Sequence, residues 1–262
     1  MRQELGHSPT ESVERPRFAG AASEDLLLGG HRLRAAFMQT PVRHVGRDTP
    51  LLRAGASESA AILIRSGFAY RSCVMPEGRR AILRILVSGD YAGLHNIVLA
   101  RAMEDLYAAN RVGHHVLGAA TLRELLNDPC VSMFLLAQLA EAHSRADRLA
   151  ASIGRLDAHA RICVLLLDIH DRLRHRGLIN RTTFNLPLTQ EQLADHLGLT
   201  LVHVNRTLRR LREEKIVLVD RQVIIIQDIE RLRELAQGLP QPAELPEAPT
   251  LPERAVVPEF GN

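Results

Sequence analysis

Apolar positions along the chain change period twice, and each change marks a separate part. From about Pro41 to Thr121 they come in short runs closed by turn residues. Ala61-Ile62-Leu63-Ile64 ends at Ser66-Gly67, Phe68 to Met75 ends at Pro76-Glu77-Gly78, and Ala81 to Val87 ends at Ser88-Gly89-Asp90. Short strands with glycine-bearing turns at this spacing predict a small all-β barrel or sandwich. Gly93 to Arg111 breaks the rhythm and has room for a short helix; strand character resumes around Arg111 to Leu117.

From Thr121 to about Ile153 the period becomes helical. Leu135, Ala142, Leu149 and Leu156 recur every seven residues, with Leu139, Ala146 and Ile153 at the companion position. That a/d pattern predicts a helix over 128–156 whose seam meets a second copy in parallel, its alanines permitting close approach. Packing of the same stripe on the β-part is the competing reading. A second helix runs from Ala158 to Arg176, ends at Gly177, and carries Ile162, Leu165, Leu166, Ile169 and Leu173 on one face. Ile216 to Val219 and Val223 to Ile226 flank Asp220-Arg221-Gln222 as a hairpin, and a last helix spans Asp228 to Gln237.

Between these parts lies the most specific stretch of the chain, Thr189 to Val219, which has the pattern of a helix-turn-helix followed by a wing strand. Counting from Gln190, a small residue stands fifth (Ala194), a glycine ninth (Gly198) and a valine fifteenth (Val204). The first allows close helix approach, the second makes the turn without a Cβ penalty, and the third plugs the gap between helices. Thr189 and Thr200 stand where each helix needs an N-cap. The second helix then presents His203, Asn205, Arg206, Arg209 and Arg210, side chains able to meet base edges and phosphates, so the stretch points to DNA.

Composition narrows the setting. The 262 residues suffice for two modest domains, and 46% hydrophobic content is ordinary for a globular chain. No apolar run reaches the roughly 18 residues of a membrane span, and the polar N-terminus has no secretory h-region. Cys73, Cys130 and Cys163 form no CxxC pair or disulfide framework, which favours a reducing, cytoplasmic, bacterial setting. The net charge of +3 is small, but basic residues cluster at Arg172–Arg176 and Arg206–Lys215, as a DNA-facing domain needs, unless they are solvated helix faces. Residues 1–22 lack period and are expected to be disordered, as is the Pro-rich tail 238–262. No P-loop, GxSxG, HExxH or GxGxxG motif occurs, which argues against an enzyme.

The order of parts, with Leu188 to Thr200 followed by His203-Val-Asn-Arg-Thr-Leu and the turns Ser66-Gly67, Gly78-Arg79-Arg80 and Gly89-Asp90, resembles the Crp/Fnr family of bacterial transcription regulators over about residues 25–236. The resemblance implies an α+β chain: a cyclic-nucleotide-binding-like β-roll sensor domain over 23–127, a dimerisation helix over 128–156 and a winged helix-turn-helix over 157–237. It implies a homodimer on a two-fold symmetric operator, with RNA polymerase as partner if the protein activates. The dimer seam would be Leu135, Leu139, Ala142, Ala146, Leu149, Ile153 and Leu156. Thr189 and Thr200 would hold phosphates at helix N-termini, and Arg206 falls on the family's base-reading arginine, which forks to guanine. Many members carry glutamate four residues earlier, where this chain has Val202, a side chain that can touch a thymine methyl but accepts no hydrogen bond from cytosine. The operator is therefore expected to differ.

Effector chemistry is poorly supported. Gly89 and Asp90 match the start of the family's phosphate cassette, but Leu94 replaces the ribose-binding glutamate. Leu106-Tyr107 replaces the arginine–serine pair, so cyclic AMP is disfavoured. An iron–sulfur cluster needs four cysteines and is disfavoured too; no cofactor is predicted. Haem stays open, because one of twelve histidines could suffice: His95 sits where a sensor pocket belongs, beside Gly89 and Asp90, and His114-His115 lies on a predicted strand. The bland readings are a satisfied core histidine and a surface strand pair. Cys73 reads as a redox thiol or an inert one, and Asp168, His170 and His175 lack metal spacing. A second function class is a small-molecule-binding module whose winged helix contacts protein; the basic second helix speaks against it.

Overall fold

The computed structural model describes residues 21–56, 60–96, 102 and 104–236. The tail 238–262 and residues 1–20 lie outside the described residues; residues 21 and 22, expected to be disordered, already belong to a helix. Two four-stranded antiparallel sheets form the roll. One has the order β1 (Arg43–Val45), β8 (Val112–Gly118), β3 (Ala60–Ser66), β6 (Tyr91–Ala92); the other β2 (Pro50–Leu52), β7 (Asp105–Ala108), β4 (Ala69–Val74), β5 (Arg80–Leu86). Ile62, Ile64, Leu86, Leu106 and Val112 meet between them as a core.

The sequence pattern did not predict the first helix, α1 (Ala21–Met38). It packs across the long helix α3 (Pro129–Arg155), with the short α2 (Ala119–Leu125) leading in. The contact is close because α1 presents Gly29 to the Cys130 carbonyl and Gly30 to the Phe134 ring; a Cβ on Gly29 would run into that carbonyl. Leu26, Leu33 and Phe37 of α1 share a core with Val131, Phe134 and Leu135 of α3 and with Leu63, Tyr91 and Leu117 of the roll. Asp128 caps α3, accepting from the Cys130 N–H at 2.9 Å, and pairs with Arg32 of α1.

α3 covers the predicted span, but one row of its predicted seam shifts. Leu135 is only 5% exposed and belongs to the core with α1, so it is not available to a second copy. Its neighbour Leu136 is 62% exposed, and Leu139 and Ile153 are 42% and 38% exposed. Ala142, Leu149 and Leu156 are half-buried at the shoulder. The open face instead runs Leu136, Leu139, His143, Ala146, Ala150, Ile153, alternating steps of three and four residues.

The C-terminal part comprises α4 (Ala158–His175), β9 (Thr183–Asn185), α5 (Gln190–Leu197), α6 (Leu201–Glu213), β10 (Val217–Asp220), β11 (Val223–Ile226) and α7 (Ile229–Leu235). Val217 pairs with Ile226 and Asp220 with Val223, as the hairpin pattern implied; β9 adds a third strand that the pattern did not reveal. The core of this part is continuous with the roll. Tyr70, Ile82 and Ile85 of β4 and β5 join Ile162, Leu166, Leu197, Val204 and Leu211, while their neighbours Ala69 and Leu86 face the roll interior. The helix-turn-helix is thus seated on the outer side of one sheet.

Candidate nucleic-acid interface

α5 and α6 owe their ends to the residues that the sequence singled out. Thr189 Oγ1 accepts from the Gln192 N–H at 3.1 Å, and Gln192 Oε1 accepts from the Thr189 N–H at 2.9 Å, a reciprocal capping box. Gly198 ends α5 with φ of 62°, a left-handed conformation that glycine adopts without strain. Thr200 caps α6, its Oγ1 accepting from the His203 N–H at 3.3 Å. Val204 is fully buried, and Thr207, Leu208 and Leu211 complete the inward face of α6.

Opposite that face, Val202, Arg206 and Arg209 form a ridge in solvent, with Asn205 and His203 on its flanks. The three arginines predicted for DNA contact are not equivalent. Arg210 is held by Glu214 at 2.6 Å, and Arg209 lies 3.9 Å from Glu213. Arg206 has no hydrogen bond or ion pair among the described residues, so its guanidinium can fork to a base without first leaving a partner. His203 is tied back to its cap, Nδ1 lying 3.1 Å from Thr200 Oγ1. The capping box uses the Thr189 N–H, the Thr189 Oγ1 as acceptor and the Gln192 N–H, leaving the hydroxyl proton and the N–H groups of the first two residues of α5 for a phosphate. Val202 is 72% exposed.

Several residues fix this reading head to the rest of the molecule. Arg161 of α4 donates to the carbonyls of Ile153 (2.6 Å) and Leu156 (2.9 Å) at the end of α3, and of Leu197 (3.1 Å) at the end of α5. One guanidinium therefore caps two helix C-termini and joins long helix to reader. Arg80 of β5 pairs with Asp195 of α5 at 2.7 Å, and His196 Nδ1 donates to the Ile82 carbonyl at 2.9 Å. Burial lowers the His196 pKa, while that carbonyl favours the protonated ring, so the imidazole is neutral in place.

The strongest tie involves Asp90, and it corrects an expectation. Asp90 and Gly89 were expected in an effector pocket, but Asp90 is 3% exposed and faces α4. Its carboxylate takes Arg172, takes Arg176 at 2.7 Å, accepts from the Val87 N–H at 2.8 Å, and has Arg84 at 3.8 Å. Arg176 also covers Gly89 and donates to the Ser88 carbonyl at 2.7 Å. Burial would raise the Asp90 pKa; Arg172, Arg176 and Arg84 outweigh it and hold the carboxyl well below the usual carboxylate range. Burial draws Arg84 down to about 10 despite Asp90. The basic run 172–176 is thus, at Arg172 and Arg176, neither a DNA face nor a solvated surface. Asp168 continues the network, joining Arg172 at 3.4 Å and Arg145 of α3, which Glu141 holds at 2.6 Å.

Of the expected effector residues, His95 lines a narrow hollow with room for about one water. His95 Nε2 lies 3.3 Å from Glu104, which Arg71 also holds. Leu94 is buried in the core beneath α1, and Leu106 in the roll interior. His114 and His115 are not a surface pair: they are 4% and 1% exposed, because β8 is covered on both faces. His115 Nδ1 donates to the Thr40 carbonyl at 2.9 Å, and burial lowers both pKa values. Burial pushes the Cys163 thiol up to about 12, which makes it inert. Among the described residues no three His, Cys, Asp or Glu side chains are grouped to hold a metal, and no helix is long and apolar enough to cross a membrane.

Sequence reasoning missed Arg161, Arg80, Asp195 and the role of Asp90, since each works through a partner remote in the chain. Residues 160–235 match the family model of the Crp-like helix-turn-helix domain. The chain is 30% identical over 163 residues to the probable transcriptional regulator flp of Lacticaseibacillus casei, covering 61% of this chain and 71% of that one. It is 28% identical over 176 residues to the transcriptional activator protein FnrL of Cereibacter sphaeroides, covering 65% and 70%. The structure of FixK2 from Bradyrhizobium japonicum has the same fold, with a TM-score of 0.70 at 22% identity over 77% of this chain and 99% of that one.

Proposed function

The chain belongs to the Crp/Fnr family of DNA-binding transcription regulators, and from that premise we propose that it works as a homodimer on a two-fold symmetric operator. Each protomer lays α6 in the major groove, with Arg206 forked to a guanine O6 and N7 and Thr189, Thr200, His203 and Asn205 placed for phosphate and base edges. The observation that carries this reading is the outward ridge of α6, where Arg206 is unpaired while Arg209 and Arg210 face carboxylates. Arg209 and Arg210 then serve as phosphate contacts. The second copy is met along the open face of α3, whose Leu136, Leu139, Ala146, Ala150 and Ile153 are placed to bury each other across a parallel pair.

Binding does not depend on cyclic AMP. Asp90, at the start of the phosphate cassette, occupies Arg172 and Arg176, and Glu104 occupies Arg71, so these three cations are not free for a cyclic phosphate. Regulation acts as a population shift between arrangements of the reader, transmitted through α3 and the Arg161 cap. The protein works in the cytoplasm, and if it activates transcription its further partner is RNA polymerase. Sedimentation of the full chain with a bound operator duplex tests the assembly. Two protomers per duplex support it; one protomer on one half-site contradicts it.

A further inference from the structure

Val202, on the outward ridge of the reading helix, is the most exposed large hydrophobic side chain among the described residues, and no contact within the protein explains it. At 72% exposure it packs on no core, and a β-branched side chain gains nothing from helix propensity. Leu201, one residue earlier, is 41% exposed, so the first turn of α6 offers an apolar corner to whatever lies in front of it. Water is a poor neighbour for such a corner. The major groove offers one apolar feature along its base edges, the 5-methyl group of thymine.

Val202 and Arg206 lie on one ridge, four residues or about 6 Å apart along the helix axis. Base pairs are stacked about 3.4 Å apart along each strand, so the two side chains address positions within about two base pairs of each other. We propose that Val202 is a specificity-determining residue that selects a thymine, by its methyl group, within two base pairs of the guanine read by Arg206. This rests on the DNA-reading role of α6 proposed above. Recognition is divided accordingly: the unpaired guanidinium supplies a directional pair of hydrogen bonds, and the valine supplies contact that discriminates by shape and by the absence of water. A cytosine at that step presents an amino group that Val202 cannot satisfy, which adds a penalty to the missing methyl.

The test uses the full chain and an operator obtained by selection from randomised duplex DNA. Arg206→Ala locates the guanine as the position where specificity relaxes. Each thymine within two base pairs is then replaced singly by uracil, which keeps the base pair and removes only the methyl. One such replacement weakens wild-type binding about four-fold per half-site. Val202→Ala, on an exposed position that leaves folding intact, removes the difference between thymine and uracil. If uracil and thymine bind alike at all these positions while Arg206→Ala still relaxes the guanine, the inference fails and the DNA-reading role of α6 stands. If selection returns no preferred sequence at all, both fail together.

Discussion

Replacing Asp90 with alanine tests how the reading head is seated. The substitution leaves Arg84, Arg172 and Arg176 without a carboxylate they share and orphans the buried Val87 N–H. Removing one partner of a buried ion pair costs about 3–5 kcal/mol, and a buried donor left alone about 1–3 kcal/mol. The two overlap. Arg172 also keeps Asp168 at 3.4 Å and the Ile85 carbonyl at 3.1 Å, and Arg176, 26% exposed, can turn to water. Arg84, 19% exposed, is the most distant of the three, at 3.8 Å. The expected loss is therefore at the lower end, about 3 kcal/mol of a typical 5–15 kcal/mol, and Asp90→Asn, which retains an acceptor for Val87, loses less. Urea denaturation at pH 7 measures it. Because the folded pKa of Asp90 is depressed, its stabilisation is complete above the unfolded value of about 3.9 and is lost as pH falls below it. The gap between wild type and Asp90→Ala should narrow below about pH 4. A loss under about 1 kcal/mol at pH 7, or a gap that does not narrow, would refute the argument.

Other outcomes follow from the same geometry. Leu139→Asp should dissociate the proposed dimer in sedimentation and leave the protomer folded, whereas Leu135→Ala should leave association intact and lower stability by about 2–5 kcal/mol in thermal denaturation. Arg206→Ala should cost roughly 1–3 kcal/mol in operator binding and relax one base pair, measured by competition with single-base operator variants; equal weakening on every sequence would make Arg206 a phosphate contact. Gly198→Ala, at φ of 62°, should destabilise by about 1–2 kcal/mol through backbone strain, since the Ile153 methyl leaves room for the added Cβ at 3.6 Å. His114, His115, His159 and His196 all have lowered folded pKa values, with burial the largest cause. Each is protonated more readily unfolded, so stability should be full above about pH 6.5 and fall as pH drops towards 5, seen as a falling Tm.

The helix-turn-helix was legible because its signals are local: two threonine caps, a glycine in the left-handed turn and a buried valine lie within a short stretch. α1 was not, because Gly29 and Gly30, which read as helix breakers, are there to let Cys130 and Phe134 approach, a tertiary demand. The exposed apolar row of α3 lies one residue from a row that the heptad count picked out. Rows through Leu135 and Leu136 are adjacent on the helix, and only the presence of α1 decides which is covered. His143 interrupts the open row and makes it look less apolar than its rival. Asp90 matched a ligand-binding pattern; its partners Arg172 and Arg176 lie on another element, and no local pattern connects them. The basic run that contains them looked like a DNA face for the same reason.

Selection of binding sites from randomised duplex DNA by the purified full chain, read by sequencing, tests the central claim most directly. The account predicts an inverted repeat whose half-site centres lie about 34–36 Å apart, each carrying a guanine whose preference disappears in Arg206→Ala. Enrichment of a single unsymmetric site, or of no sequence beyond chance, would contradict a two-fold reader built on α6.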